Sequence, residues 1–331
     1  MRDFSPVLLE PFGLKARKVT RAYGAFICDT PKGLKILKTT MASSADLWFA
    51  HGVKEHMAQA GYGATDRYQV AQTGEPWSQI GSEMYTVRDW AVGEEADLTV
   101  PEQCLGIARE MGRIAGTMHG YETLLQTGNS GSPAETMEGR KKQFQRFRRL
   151  EKSLRKNGRY TDFDMMVLQC LPEHMEQAQQ AEELFDDPAV QREVKTAEEK
   201  RTFAHRNFSD HTVIWDKGNT LFTDFERAGY DLPLFDLTAF LEKALRKNHW
   251  PIELGAAMIA AYEENFALSE GMRKLLYGQL LFPKRLAQLC AEVYGAKRTW
   301  MPLSYSQKLE EICRQQEERK AFLREFEKIC L

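Results

Sequence analysis

The stretch 204–237, AHRNFSDHTVIWDKGNTLFTDFERAGYDLPLFDL, constrains the fold of this chain more than any other. Two short apolar runs, 212–215 and 220–223, flank the turn-forming residues Asp216, Lys217, Gly218 and Asn219, and that pattern predicts a β-hairpin. A polar loop, His205-Arg206-Asn207, precedes the first run, and Asp224 follows the second. The hairpin would therefore hold loop and acid side by side at one end. Such a layout suits a phosphate and metal site.

The rest of the chain divides into two patterns. Near the N-terminus, runs of strand formers at 19–28 and 34–40, joined by Asp29-Thr30-Pro31-Lys32-Gly33, predict a second hairpin. A helix over 45–60, ended by Gly61, and strand-like pieces at 68–72 and 84–90 complete a small, mainly β lobe over residues 1–90. Beyond Trp90-Ala91-Val92-Gly93 the periodicity is helical, which predicts a C-terminal lobe over 91–331. Its expected parts are a helix over 102–119, a break at 128–133 that is the best candidate for a mobile loop, and a basic helix over 140–159. Helices at 162–185, 251–266, 270–294 and 305–331 follow, and Asp236 stands where an N-cap belongs before Leu237, Phe240 and Leu241.

Composition bounds the function only loosely. A chain of 331 residues with a formal net charge of -2 and a hydrophobic fraction of 43% is an ordinary globular composition that points to no particular partner. Six cysteines, at 28, 104, 170, 290, 313 and 330, form no C-x-x-C pair and read as reduced and structural. No run approaches the ~20 apolar residues of a membrane span, and the start has no signal-peptide core, so synthesis in the cytoplasm is expected. The segment 140–159 carries ten Lys or Arg and one acid, whereas 173–199 carries nine acids and two bases. Matched pairing of these segments leaves a solvated face; the alternative is docking of an anionic ligand or an acidic partner, and nucleic acid is not expected.

Taken together, these residues carry a resemblance. The hairpin ending in Leu37-Lys38, the helix, the hinge, the H-x-(D)-x-x-x-x-(N) loop, the second hairpin and the D-F and D-L pairs resemble the α+β, two-lobed protein-kinase-like fold. More narrowly they resemble its aminoglycoside-phosphotransferase and choline-kinase branch. Within it, Gly33-Leu34-Lys35-Ile36-Leu37-Lys38, Asp89-Trp90-Ala91-Val92-Gly93-Glu94-Glu95-Ala96-Asp97-Leu98, Tyr230-Asp231-Leu232-Pro233, Leu245-Arg246-Lys247-Asn248-His249-Trp250 and Leu281-Phe282-Pro283-Lys284 are similar to the CotS-type spore-coat proteins of endospore-forming bacteria. The resemblance implies ATP and Mg²⁺ as cofactors, other spore-coat proteins as partners, and the spore coat as destination. It implies that Lys38 contacts the ATP phosphates with Glu55 as its helix partner, that Asp224 holds the metal, and that Asp236 braces the loop at His205, itself structural.

The departures from that pattern are equally informative. The aspartate that would accept the proton of an attacking hydroxyl is replaced by Asn207, whose carboxamide cannot act as a base. The asparagine expected as a second metal ligand is replaced by Thr212, whose hydroxyl is a candidate metal ligand but a poorer one. Residues 18–28 hold a single glycine, Gly24, where a Gly-rich phosphate loop would lie. General-base catalysis supplies about 10²–10⁴-fold, or roughly 3–5 kcal/mol of barrier. The sequence thus predicts a degenerate kinase-like protein, inactive or weak, with a structural or binding role; the alternative is a divergent ATP-dependent phosphotransferase acting on a small-molecule hydroxyl.

Overall fold

The computed structural model describes residues 4–22, 24–90, 92–123, 131–156, 160–295 and 302–331. The N-terminal lobe is built on β1 (Lys18–Ala22), β2 (Ala25–Thr30), β3 (Gly33–Thr40), α1 (Ser44–Gln59), β4 (Ser78–Ile80) and β5 (Glu83–Asp89). The five strands form an antiparallel sheet in the order β1-β2-β3-β5-β4. The run expected as one strand over 19–28 is two strands, because the chain reverses at Gly24, whose φ of +67° suits a residue without a Cβ. The expected strand over 68–72 is absent; Tyr68 forms only an isolated bridge to Arg88.

Strand alternation sorts this lobe into two faces. Leu37, Tyr85 and Val87 join Leu8, Leu9, Phe12 and Phe26 in an apolar cluster on one side. Because Lys38 pairs with Thr86 and Ile36 with Arg88, Lys38 and Arg88 share the opposite face. That face looks toward α1 and the C-terminal lobe. Helix α1 starts at an N-cap, Ser43, whose hydroxyl accepts the Asp46 N–H.

The C-terminal lobe contains β6 (Glu94–Glu95), α2 (Pro101–Ala115), α3 (Pro133–Lys156), α4 (Asp162–Phe185), α5 (Pro188–Glu199), β7 (Phe203–Ala204), β8 (Val213–Asp216), β9 (Asn219–Phe222) and β10 (Gly229–Tyr230). Helices α6 (Leu234–Lys247), α7 (Ile252–Glu263), α8 (Glu270–Leu281), α9 (Lys284–Tyr294), α10 (Leu303–Arg314) and α11 (Gln316–Cys330) complete it. The predicted hairpin is β8–β9, closed by Lys217 and Gly218 and extended by β6. The helix expected over 270–294 is broken at Pro283, which has no N–H to donate and forces Phe282 into an extended conformation. Asp236 lies in the first turn of α6, not at its N-cap, which is Pro233.

Arg148 of the basic helix α3 reaches Glu182 of α4 at 3.7 Å, and Lys141 pairs with Asp186 just beyond it. The cross-helix pairing read from the charge pattern thus exists. Phe144 and Phe147 are buried on the inner face of α3. The expected mobile loop at 128–133 and the end of the basic helix at 157–159 lie in part outside the described residues. Among the described residues no helix is long and apolar enough to cross a membrane.

Candidate active-site cleft

The face of the sheet carrying Lys38 and Arg88 meets Asp224 at the end of β9. Lys38 Nζ lies 3.3 Å from Asp224 Oδ2, so two residues singled out in the sequence come together. The other carboxylate oxygen is held by a group that sequence reasoning missed. Arg88 Nη1 donates to Asp224 Oδ1 at 2.8 Å and lies 2.8 Å from Asp66 Oδ2. Behind it, Lys54 of α1 donates to the Asp66 carbonyl at 2.8 Å and to its carboxylate, with its ammonium 4.3 Å above the Tyr68 ring.

This network of three cations and two carboxylates bridges the two lobes, with Lys38 and Asp224 partly exposed at its rim and the other three groups buried. Arg88 is 2% exposed, and Lys54 and Asp66 are fully buried. Charges so placed persist only when paired, since desolvation of each ion costs several kcal/mol. Burial works against the Arg88 charge, but Asp66 and then Asp224 outweigh it and hold the guanidinium more firmly protonated than usual. Burial likewise opposes ionisation of Asp224, and Arg88 and Lys38 outweigh it, keeping the carboxyl well below the ordinary carboxylate range. Asp224 also adopts a left-handed backbone, φ +65°, a strained conformation for a residue with a Cβ.

Glu55 does not partner Lys38. Its carboxylate takes the Arg67 guanidinium, with Nε 2.9 Å from Oε1. The inward position on α1 belongs to Lys54, one residue earlier, since Leu47, Ala50 and Met57 mark the buried stripe on which it falls. A lysine interrupting that apolar stripe, and an arginine among the core positions of β5, are the sequence signals that would have found the network.

The loop at 205–212 is built as a scaffold. His205 is 1% exposed; its Nε2–H donates to the Thr223 carbonyl at 2.7 Å, and its Nδ1 accepts the Asn207 N–H at 3.2 Å. These bonds fix the neutral ring, and burial pushes its pKa down to about 4. They also tie the loop to the residue just before Asp224. Asp236 accepts the N–H groups of His205 and Arg206 at 2.7 and 2.9 Å, bracing the loop as the resemblance implied. Arg206, at φ +62°, turns its Nε to Asp231 Oδ2 at 2.9 Å.

Asn207 is exposed at the position of the missing base. Thr212 is buried, and its hydroxyl accepts the Ser209 N–H at 3.0 Å while donating to the Ser209 carbonyl at 2.9 Å. That hydroxyl serves a local cap. Both Asp224 oxygens are bonded to protein cations as well, so a divalent metal ion at that carboxylate would compete with Lys38 and Arg88. Among the described residues no group of three or more His, Cys, Asp or Glu is placed to hold one.

Comparison with known proteins agrees with this architecture. A family described as "Spore coat putative kinase YutH" matches residues 7–326. Spore coat protein S of Bacillus subtilis (strain 168) is 22% identical over 327 residues, which is 97% of this chain and 91% of that protein. Among solved structures, an aminoglycoside phosphotransferase from Alicyclobacillus acidocaldarius is similar with a TM-score of 0.87 at 16% identity, over 100% of this chain and 97% of that one. The amicoumacin kinase hAmiN, solved in complex with AMP-PNP, Ca²⁺ and Ami, is similar with a TM-score of 0.59 at 14% identity, over 96% of this chain and 90% of that one. At such identities these likenesses establish the aminoglycoside-phosphotransferase fold alone. The match over nearly the whole length does more: this chain belongs to the YutH family of spore coat kinase-like proteins.

Proposed function

We propose that this protein is a kinase-like component of the spore coat that has given up metal-dependent phosphoryl transfer and serves a structural or binding role, with other coat proteins as its partners. One observation carries this reading. Arg88 occupies the carboxylate that would hold Mg²⁺, so the charge a metal would supply is already provided by a side chain. Asn207 in place of a base and the Thr212 hydroxyl engaged by the Ser209 backbone point the same way. Phosphoryl transfer depends almost wholly on positioning and electrostatic stabilisation around the metal and the nucleophile, and both supports are altered here.

The meeting of Lys38 with Asp224 favours a second reading, a divergent phosphotransferase that takes ATP and a small hydroxyl compound. A thermal-shift titration with ATP, with and without Mg²⁺, separates the two, because a ligand that binds only the folded state raises its Tm. Under the first reading any shift with ATP is the same with and without Mg²⁺, and no ATP is hydrolysed. A Mg²⁺-dependent shift accompanied by turnover in the wild type would overturn it.

A further inference from the structure

Away from the cleft, the helical lobe holds a cavity of about 120 Å³ where α2, α5, α7 and α8 converge on residues 232–234, the segment leading into α6. Met118, Ala197, Leu232, Leu234 and Tyr262 form its buried floor, and the exposed His119 and Lys200 mark its mouth. Two close helix contacts fix its walls. A Cβ at Gly112 of α2 would stand 2.2 Å from the Tyr262 carbonyl of α7, and one at Gly271 of α8 would stand 2.5 Å from the Ala189 carbonyl of α5. With the backbones held so, the short side chains of Ala115 and Ala197 leave the space unfilled. Atoms lining such a void lack the contacts that a close-packed interior supplies.

One polar group interrupts the apolar floor. Tyr262 is 1% exposed, its ring packs edge-on against Phe266 at 5.8 Å, and its hydroxyl has no hydrogen-bond partner among the described residues. The cavity is the space left to that hydroxyl. Buried hydroxyls are paired as a rule. Thr202, on the same wall, follows the rule by donating to the Asp231 carbonyl at 2.8 Å. An ordered water needs two to four polar partners, and a lone hydroxyl on an apolar floor offers it too few.

We propose that this cavity binds a compact, neutral, mainly apolar molecule with a single hydrogen-bonding group, in class a phenol or a short alcohol, and that this group meets the Tyr262 hydroxyl. Size and chemistry both point to it. An apolar cavity of about 150 Å³ takes up benzene. One of about 120 Å³ therefore admits a body of about that size and is too small for a nucleotide. The thioether of Met118 and the side chains of Leu232 and Leu234 supply an adaptable apolar surface for the body of the ligand. The site is separate from the cleft and depends on no reading of it.

Calorimetric and thermal-shift titrations of the full-length wild type with phenol and, separately, with benzene test this. Phenol should bind saturably and raise the Tm. Benzene should bind roughly 2- to 10-fold more weakly, the worth of one neutral hydrogen bond. Tyr262→Phe should erase or reverse that preference without lowering the Tm of the free protein, since the hydroxyl gives up no partner. Ala197→Leu, which extends a side chain into the space, should abolish binding of both. No saturable binding of either ligand to the wild type, equal affinity for the two, or a phenol preference that survives Tyr262→Phe would each overturn the proposal. Undiminished binding to Ala197→Leu would overturn it as well, and so would a Tm lowered by Tyr262→Phe, which would show the hydroxyl already satisfied by water. The comparison of phenol with benzene is made on the wild type and decides even if a variant fails to fold.

Discussion

Arg88 and Asp224 meet at 2.8 Å across the lobes, and the same guanidinium nitrogen lies 2.8 Å from Asp66. Arg88→Met would leave two neighbouring carboxylates short of their shared cation. Breaking a buried pair from one side costs about 3–5 kcal/mol, and a loss of that size is expected in urea denaturation. The same variant frees the Asp224 and Asp66 oxygens. Mg²⁺ should then raise the Tm of the variant while leaving the wild type unmoved. A wild type that responds equally would show that the arginine does not stand in for a metal.

Two buried groups at the loop set opposite pH responses. His205 is pushed down from 6.5 to about 4, so an unfolded chain takes up a proton that the fold refuses, and this residue's contribution falls as pH drops through that window. Burial pushes Asp236 up from 3.8 to about 7, against two backbone N–H bonds that favour its ionised form. Its contribution is complete below about 3.8 and is lost as pH rises through 7. The two offset each other in the wild type. Asp236→Asn removes one of them, so the variant should lose stability relative to the wild type between about pH 8 and 5, at up to about 1.4 kcal/mol per unit. Urea midpoints at both pH values give the answer, and an unchanged difference would contradict it.

One substitution should have opposite signs at two helical glycines. At Gly112 of α2, an added Cβ would stand 2.2 Å from the Tyr262 carbonyl of α7, so Gly112→Ala must push the two helices apart. A loss of about 1–3 kcal/mol is expected. At Gly139 of α3 nothing lies within 4 Å of that position, and Gly139→Ala should gain about 0.5–1 kcal/mol from helix propensity. Thermal or urea unfolding of both variants checks the contrast.

The β8–β9 turn carries a correctable strain. Asp216 pairs with Asn219, leaving Lys217 at φ +47° and Gly218 at φ +91° as its two central residues. Positive φ at both is the pattern that favours Asn-Gly, and lysine is poorly suited to the first. Lys217→Asn should stabilise the protein by about 0.5–1 kcal/mol, and an unchanged or lower Tm would count against the turn geometry.

The sequence by itself determined the parts whose physics is local. Turn chemistry and alternation located the β8–β9 hairpin, periodicity located most of the helices, and reading the loop as text exposed Asn207 and Thr212. It misplaced what depends on neighbours: the helix break at Pro283 was hidden inside a continuous apolar pattern, and Glu55 was preferred to Lys54 because a resemblance fixes residue type more readily than helical phase. Only the tertiary structure decided what Asp224 binds. Arg88 lies 136 residues before it in the chain, and neither residue's local pattern carries any trace of the other. A buried charge is tolerated only opposite a partner, and that partner is chosen by how the strands and lobes close in space, which no local period in the sequence records.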